Sequence, residues 1–304
     1  MTAIPTARSI AAGASGYSND ANASQNGVPL VFVSDLEGNT VNIYDVHGTP
    51  TGQLTGFSAP TGVAVAANRD LYVADSSNSE IKIYKAGYTQ PPTRIEVPGQ
   101  TLRDLKISAT GLIAVLEVSS DGLNSVSFYQ SGSKQSCKTL SSPDLPNMYF
   151  GTFDANGVFY VDGYSPTVVS SVGRIIGGCS AASIAVQQTP NSLGQVAGMA
   201  VNSKGQVLIG DADRSTIFTY NVMKGGQLSL DKTTTLVDTN IVWGFVLKPS
   251  DDNVLVANGG FQQTGSGWDE YTYPFAHSAI VSVTGLLEAY GIAMTPAQNA
   301  IGTW

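Results

Sequence analysis

Acidic residues recur at one position of a repeating strand pattern. Six short apolar segments, among them LYVAD and VLIGD, each end on a carboxylate or an amide. These terminal residues are Asp35, Asp75, Glu117, Asp162, Asp211 and Asn258. If the five carboxylates converge, they could hold a hard cation such as calcium, which prefers several oxygen ligands. Each could instead accept backbone N–H groups of its own loop, as Asp and Asn do in turns. A functional site usually breaks a repeat, so recurrence in every unit favours the second role.

Side chains that do break the repeat lie at the start of another short strand. Thr and Ala occupy this position in some units, whereas others carry Arg103, Tyr149, Trp243 and Tyr290. One guanidinium and three aromatic rings could stack on a sugar or an aromatic ligand and pair with its carboxylate. The same rings could instead serve only as packing.

Three longer loops follow the acidic strand ends, at residues 117–125, 162–171 and 258–268. The last loop carries Phe261 and Trp268. We take five residues as candidates for ligand binding: Arg103, Tyr149, Trp243, Tyr290 and Trp268.

The two histidines do not favour catalysis. His47 and His277 each lie in the turn after the third short strand of a repeated unit, and we expect these turns to point away from the residues above. Neither should therefore act as a base there. The sequence also contains no GxSxG, HExxH or GxxxxGK[ST] motif.

These residues are organised by a repeat of short strands. Six strand starts are aligned by a recurring doublet, and the steps between them are 42, 47, 47, 46 and 47 residues. The doublets are Thr61-Gly62, Arg103-Asp104, Tyr149 to Gly151, Ala197-Gly198, Trp243-Gly244 and Tyr290-Gly291. A period in the forties with about four strands per unit is typical of β-propellers. The sequence therefore predicts an all-β, six-bladed β-propeller.

The chain end completes the first unit. Residues 53–66 (QLTGFSAPTGVAVA) and 282–295 (SVTGLLEAYGIAMT) match at an offset of 229. We therefore expect residues 291–294 to form the innermost strand of the blade that begins at Pro29. Such a closure leaves no exposed sheet edge at the seam. In the closed ring, inner-strand starts and second-strand ends would meet at one mouth of the axial channel.

A single domain accounts for residues 29–304. Residues 1–28 are rich in Ala, Ser, Asn and Gly and show no periodicity, so we expect a polar tail that is either loose or lies along a blade. This tail lacks the basic start and apolar core of a signal peptide.

The composition excludes several classes of partner. The net charge of −8 and the pI near 4.6 argue against nucleic acid and against anionic membrane surfaces. No apolar run approaches the length of a membrane span. Charged residues make up only 12%, with Ser, Thr, Asn, Gln and Gly in their place. This surface favours an extracellular or periplasmic protein whose leader is absent from this chain over a cytoplasmic one.

The two cysteines are expected to be separate thiols. Cys137 and Cys179 fall in the outer parts of adjacent blades. A disulfide needs Cα atoms within about 7 Å, and the outer strands of neighbouring blades splay apart. We therefore favour unpaired thiols, although a bridge is conceivable.

The segment PTGVAVAANRDLYVADSSNSEIKIY (Pro60–Tyr84) resembles the NHL repeat, and residues 29–44 and 198–220 match it less closely. The resemblance implies a propeller that serves as an interaction platform, a sensor, a lyase or a calcium- or zinc-dependent lactonase. The metal-dependent relatives carry a Glu at an inner-strand start, where this chain comes nearest with Asp104. The lyases use a channel-facing His that neither His47 nor His277 supplies. Both departures argue against catalysis.

The sequence thus predicts an exported, non-catalytic propeller that binds a small molecule, a glycan or a protein at its channel mouth. No cofactor is expected unless calcium binds the carboxylates. The alternative is a metal-dependent hydrolase, lactonase or lyase whose cation is held by Asp35, Asp75, Glu117, Asp162 and Asp211.

Overall fold

A computed structural model describes residues 8–11, 29–119, 122–237, 239, 241–259, 265–274 and 278–295. Within these residues the regular structure is almost entirely β-strand. The strands are β1 (Arg8–Ala11), β2 (Leu30–Asp35), β3 (Thr40–Asp45), β4 (Pro50–Leu54), β5 (Pro60–Val65), β6 (Leu71–Asp75), β7 (Glu80–Tyr84), β8 (Thr93–Glu96), β9 (Thr101–Ile107), β10 (Ile113–Val118), β11 (Ser125–Tyr129), β12 (Lys138–Ser141), β13 (Asn147–Phe153), β14 (Phe159–Tyr164), β15 (Ser170–Ile175), β16 (Ala185–Gln188), β17 (Val196–Val201), β18 (Val207–Asp211), β19 (Thr216–Val222), β20 (Leu228–Thr235), β21 (Val242–Leu247), β22 (Asn253–Asn258), β23 (Gly267–Thr272), β24 (Val281–Thr284) and β25 (Ala289–Met294).

The strands form six antiparallel four-stranded blades, which confirms the predicted propeller. From the inner strand outward, blade 1 is β25-β2-β3-β4, blade 2 is β5-β6-β7-β8 and blade 3 is β9-β10-β11-β12. Blade 4 is β13-β14-β15-β16, blade 5 is β17-β18-β19-β20 and blade 6 is β21-β22-β23-β24. Strand β1 pairs in parallel with β24 and adds a fifth strand at the outer edge of blade 6.

The ring closes as the internal match predicts. Strand β25 pairs with β2, with Val31 opposite Met294 and Val33 opposite Ile292. The hydroxyl of Thr295 accepts the backbone N–H of Leu30 at 2.8 Å. The first blade therefore takes its inner strand from the other end of the described chain.

Apolar packing between neighbouring blades holds the ring together. Strands such as β2, β5 and β17 are buried along their whole length, since both faces of each blade are covered. Close approach of the inner strands also explains the recurrent glycine. A Cβ on Gly62 would lie 2.3 Å from Leu105 N, and one on Gly291 would lie 2.5 Å from Thr61 O.

Each inner strand bulges at its mouth end. The pairing of inner and second strand shifts register between Val33/Asp35, Pro60/Val63, Leu116/Glu117, Met148/Gly151, Ala197/Met199 and Val242/Phe245. The extra residue of a bulge is left out of the ladder and its side chain is re-aimed. The doublets seen in the sequence are these bulges. They carry Arg103, Tyr149, Trp243 and Tyr290.

The expectation of separate thiols is wrong. Cys137 and Cys179 form a disulfide with Cα atoms 5.3 Å apart. A short 3-10 helix, Gly178–Ser180, follows β15 of blade 4 and packs against β11 and β12 of blade 3. The approach is close enough that a Cβ on Gly178 would lie 2.4 Å from Leu112 Cδ2.

No helix in the described parts of the chain is long and apolar enough to cross a lipid bilayer.

Candidate functional site

Four of the sequence-predicted residues meet at the channel mouth. Arg103, Tyr149, Trp243 and Tyr290 come from blades 3, 4, 6 and 1, and each is half-buried. We call these four residues the mouth cluster. They are brought together because inner strands from around the ring bulge at the same end.

The guanidinium of Arg103 lies on an aromatic face. Its central carbon is 4.1 Å from the ring centre of Tyr149, and Nη1 donates to the carbonyl oxygen of Met148 at 3.2 Å. The Tyr149 ring is itself held edge-on by Tyr164 at 5.8 Å. Since a guanidinium carries five N–H donors, this arrangement fixes its plane and leaves donors for a further acceptor.

Tyr290 forms the other half of the cluster. Its ring stacks on Trp243 with centroids 5.7 Å apart and an interplanar angle of 24°. The same ring lies 5.6 Å from Phe150 of blade 4, so Tyr290 reaches across the axis from blade 1. Desolvation raises the pKa of Tyr290 above its usual value, and the carboxylates of Asp104, Asp162 and Glu288 add to the increase while Arg103 opposes it. The phenol therefore stays neutral.

A buried carboxyl group lies beside the cluster. Asp162 is 0% exposed, and its Oδ1 accepts the backbone N–H of Phe150 at 2.8 Å. Its Oδ2 has no hydrogen-bond partner among the described residues. Burial raises the pKa of Asp162 well above its usual value, and nearby Asp104 raises it further, whereas Arg103 and Lys106 lower it. The group can accept a hydrogen bond or, when protonated, donate one.

Three other carboxylates at second-strand ends bind their own surroundings. Asp35 accepts backbone N–H groups from Gly38, Leu287 and Glu288. The bond from Gly38 caps the loop that follows Asp35, as the sequence favoured, whereas Leu287 and Glu288 belong to the segment that leads into β25.

Asp75 and Asp211 are engaged in the same way. Asp75 accepts the N–H of Ser58 at 2.7 Å and pairs with Lys82. Asp211 accepts the N–H of Gly194 at 2.9 Å and pairs with Arg214 at 3.1 Å. Among the described residues, no group of three or more His, Cys, Asp or Glu is placed to hold a metal ion.

Glu117 and Asn258 differ from this pattern. Glu117 lines a groove between blades 2 and 3, where its Oε2 accepts from Ser125 Oγ at 3.2 Å. Asn258 Nδ2 donates to Asp269 at 2.5 Å.

Trp268 does not join the mouth cluster. The structure places it on β23, 0% exposed, with its ring 5.9 Å from that of Tyr44. It lies in the apolar packing between blades 6 and 1, because side chains alternate along β23 and that of Trp268 is on the face that packs against blade 1. Phe261 and His277 lie outside the described residues. His47 lies in the exposed turn between β3 and β4.

Sequence reasoning missed three residues of the site. Phe150 completes the stack under Tyr290, Tyr164 holds Tyr149, and Glu288 lies near Tyr290. Phe150 could have been found from the sequence, because it directly follows Tyr149 at the start of the same inner strand.

Further along the inner strands lies a small cavity of about 60 Å³, whose lining includes Val63, Phe245 and Ile292 together with Lys106 and Thr152.

Residues 57–84 match the family model of the NHL repeat, which confirms the resemblance noted in the second blade. No curated protein sequence matches the chain.

Solved structures show the same fold at low sequence identity. A chain of the nidogen/laminin complex matches with a TM-score of 0.69 and 12% identity over 88% of this chain and 98% of that chain. A protein of unknown function from Bacteroides caccae matches with a TM-score of 0.68 and 10% identity over 88% and 98%. Hydrazine synthase of Kuenenia stuttgartiensis matches with a TM-score of 0.64 and 16% identity over 75% and 77%. Similarity at these identities establishes the fold alone.

Proposed function

We propose that this NHL-repeat-like six-bladed propeller is an exported, non-catalytic binding protein whose mouth cluster takes a ligand with a flat ring and a carboxylate. The ring is that of a sugar or an aromatic group. It is presented by a small molecule, a glycan or a protein.

The observation that carries this proposal is the half-exposed pairing of Arg103 with Tyr149 beside the stacked pair Trp243 and Tyr290. The partly exposed rings favour stacking on a flat ligand, because the contact removes apolar surface of both partners from water. A guanidinium held in plane by an aromatic face suits bidentate pairing with a carboxylate.

Two buried polar atoms of the site support the same proposal. Trp243 Nε1 is a donor, Asp162 Oδ2 is an acceptor or, when the carboxyl group is protonated, a donor, and both atoms lack hydrogen-bond partners within the described residues. Unpaired buried groups are costly in a folded protein, so a ligand that supplies partners is favoured.

A protein that presents the ring is one of the proposed ligands, and one comparison fits it. The similar structure is that of a complex of nidogen and laminin.

The disulfide supports the proposed extracellular or periplasmic location. Bridges such as Cys137–Cys179 form and persist in oxidising compartments. Fractionation of the source cells, followed by immunoblotting, tests the location. Recovery in the cytoplasmic fraction would contradict it.

The test of binding uses tryptophan fluorescence and calorimetry with glucuronate and 4-hydroxybenzoate as probes and glucose as the uncharged control. We expect at least one acidic probe to bind, and we expect Arg103→Ala and Trp243→Ala each to weaken it about tenfold or more. Arg94→Ala, which removes an exposed arginine from the outer strand of blade 2, is the matched control. Binding that survives both mouth variants, or that falls equally in the control, would overturn the proposal.

A further inference from the structure

Blade 2 contains a lysine buried at an ammonium site of its own. Lys82 is 2% exposed, and its Nζ lies 2.6 Å from Asp75 Oδ2 and 3.3 Å from Glu80 Oε1. Nζ also donates to the carbonyl oxygen of Gly56 and lies 4.7 Å from the ring centre of Phe57. Two carboxylates, a carbonyl and a ring face thus satisfy one ammonium group.

Strand register identifies the equivalent positions in blade 3. In blade 2, Asp75 pairs with Glu80, and Lys82 lies two residues further along β7. In blade 3, Glu117 pairs with Ser125, and Ser127 lies two residues further along β11. Glu117 therefore stands where Asp75 does, and Ser127 stands where Lys82 does.

The side chains that fill the site in blade 2 are missing from blade 3. Ser127 lacks the lysine stem, and its hydroxyl lies 2.7 Å from Thr139 Oγ1 and also interacts with the carboxyl group of Glu117. Gly99 precedes Asp104 by the same five residues by which Phe57 precedes Gly62, and nothing lies within 4 Å of a Cβ built on Gly99.

A groove between blades 2 and 3 lies at these positions of blade 3. It measures about 550 Å³, and its lining includes Glu96, Gln100, Glu117, Ser127 and Tyr129. Tyr129 occupies the place that Tyr84 has in blade 2, so the wall of the site is retained. The lining contains two acidic residues, Glu96 and Glu117, and one basic residue, Lys134, which is exposed.

Two buried oxygen atoms of this lining lack partners. Glu117 is 4% exposed and its Oε1 has no hydrogen-bond partner among the described residues, and the same holds for Oε1 of Gln100. In blade 2 the oxygen equivalent to that of Glu117 binds the lysine.

We infer that the groove between blades 2 and 3 binds a primary ammonium group on an alkyl chain. The ammonium lies against Glu117 and Gln100, and the chain lies along Tyr129 towards the opening at Gly99. An ammonium has three donors, which match the two unpaired acceptors and a neighbouring hydroxyl or carbonyl oxygen. The source is either a free small amine or the lysine side chain of a partner chain. The site is separate from the mouth cluster and does not depend on its ligand.

The first experiment titrates the protein with n-butylamine and with Nα-acetyl-lysine methylamide, using calorimetry near neutral pH, and n-butanol as the control. We expect both amines to bind and butanol not to bind. Tighter binding of the lysine derivative assigns the site to a partner's lysine, whereas equal binding assigns it to a small amine. Equal binding of butanol would overturn the proposal.

Variants locate the binding. Glu117→Gln should weaken amine binding at least tenfold, and Glu37→Gln, which removes an exposed carboxylate elsewhere, should not. Ser127→Lys should abolish amine binding and raise Tm, because it places in blade 3 the occupant that blade 2 already has. This second variant keeps the test decisive if Glu117→Gln fails to fold.

Two results would overturn the proposal. One is amine binding that is unchanged in both groove variants. The other is amine binding that occurs only after Lys134→Ala, since the chain's own rim lysine would then be the occupant.

Discussion

A single residue in each bulge decides what the channel mouth presents. Thr61 at this position bonds the carbonyl oxygen of Leu102 at 3.0 Å and ties two blades together. At the same position, Arg103 lies on Tyr149 and Trp243 stacks on Tyr290, and all four residues remain half-exposed. The side chain presented at the mouth therefore differs from blade to blade, while the strands that carry these residues are the same.

We expect Asp162→Asn to change how stability depends on pH. A carboxyl whose pKa is higher in the folded than in the unfolded state binds more protons when folded. Wild-type stability should therefore fall as the pH rises from about 3.9, the unfolded value, through the raised folded pKa. The asparagine cannot ionise and keeps an oxygen for the N–H of Phe150.

Urea unfolding between pH 4 and pH 8 measures this effect. The variant should gain on the wild type by up to about 1.4 kcal/mol for each pH unit inside the window. Raised pKa values at Glu117 and Glu288 are common to both proteins and cancel. Asp144→Asn, at an exposed site, should run parallel to the wild type. Parallel profiles for Asp162→Asn would refute the expectation.

We expect calcium, magnesium, manganese and zinc to leave Tm unchanged, because Asp35, Asp75 and Asp211 are already bound to their own blades. A bound cation at a hundredfold excess over Kd would add about 2.7 kcal/mol of stability. Such a gain would raise Tm by several degrees. Thermal melts with 1 mM metal, compared with EDTA, measure it. A reproducible rise would instead support the metal-dependent hydrolase or lyase.

At the scale of elements, a short turn alters the connection between blades. The 3-10 helix Gly178–Ser180 of blade 4 carries Cys179 to Cys137 of blade 3. Because the cysteines are 42 residues apart, the bridge closes a long loop spanning two blades.

We expect the double substitution of Cys137→Ala and Cys179→Ala to lower the free energy of unfolding by about 2–4 kcal/mol, since the open loop gains entropy mainly in the unfolded chain. Urea unfolding of the variant and of the wild type, with and without reductant, measures this loss. Reductant should destabilise the wild type to the level of the variant and leave the variant unchanged. Equal stability of all four samples would contradict the expectation.

At the scale of the molecule, stability depends on joining distant parts of the chain. Strand β25 supplies the inner strand of blade 1 and contacts blades on either side of it. Without it, β2 would expose an unpaired apolar edge at the channel.

We expect a chain that ends at Glu288 to fail to form a stable monomer, because the ring stays open. A chain that ends at Thr295 keeps β25 and its bond to Leu30, so it should fold and elute as the full chain does. Circular dichroism and size-exclusion chromatography distinguish the two. Normal folding of the shorter chain would contradict the closure, and a peptide of residues 286–304 should restore folding in trans.

The fold followed from the sequence because its signals are local and repeated. A glycine-type doublet and a second strand that ends on a carboxylate or amide recur at a regular period, and the offset between Gly62 and Gly291 revealed the closure. Trp268 was expected at the end of a loop, but it lies on β23. Its orientation depends on the alternation of side chains along that strand, and the sequence does not show where the loop ends and the strand begins. The disulfide was missed because it depends on the path of a three-residue helix.

The sequence by itself determined the number of blades, the closure and the residues at each bulge, since periodicity along the chain is enough to define them. Only the tertiary structure decided that Tyr290 crosses the axis to Phe150, that Glu117 faces the groove between blades, and that Cys137 meets Cys179. These contacts join residues of different blades. Their distances depend on how the blades pack, which no single repeat encodes.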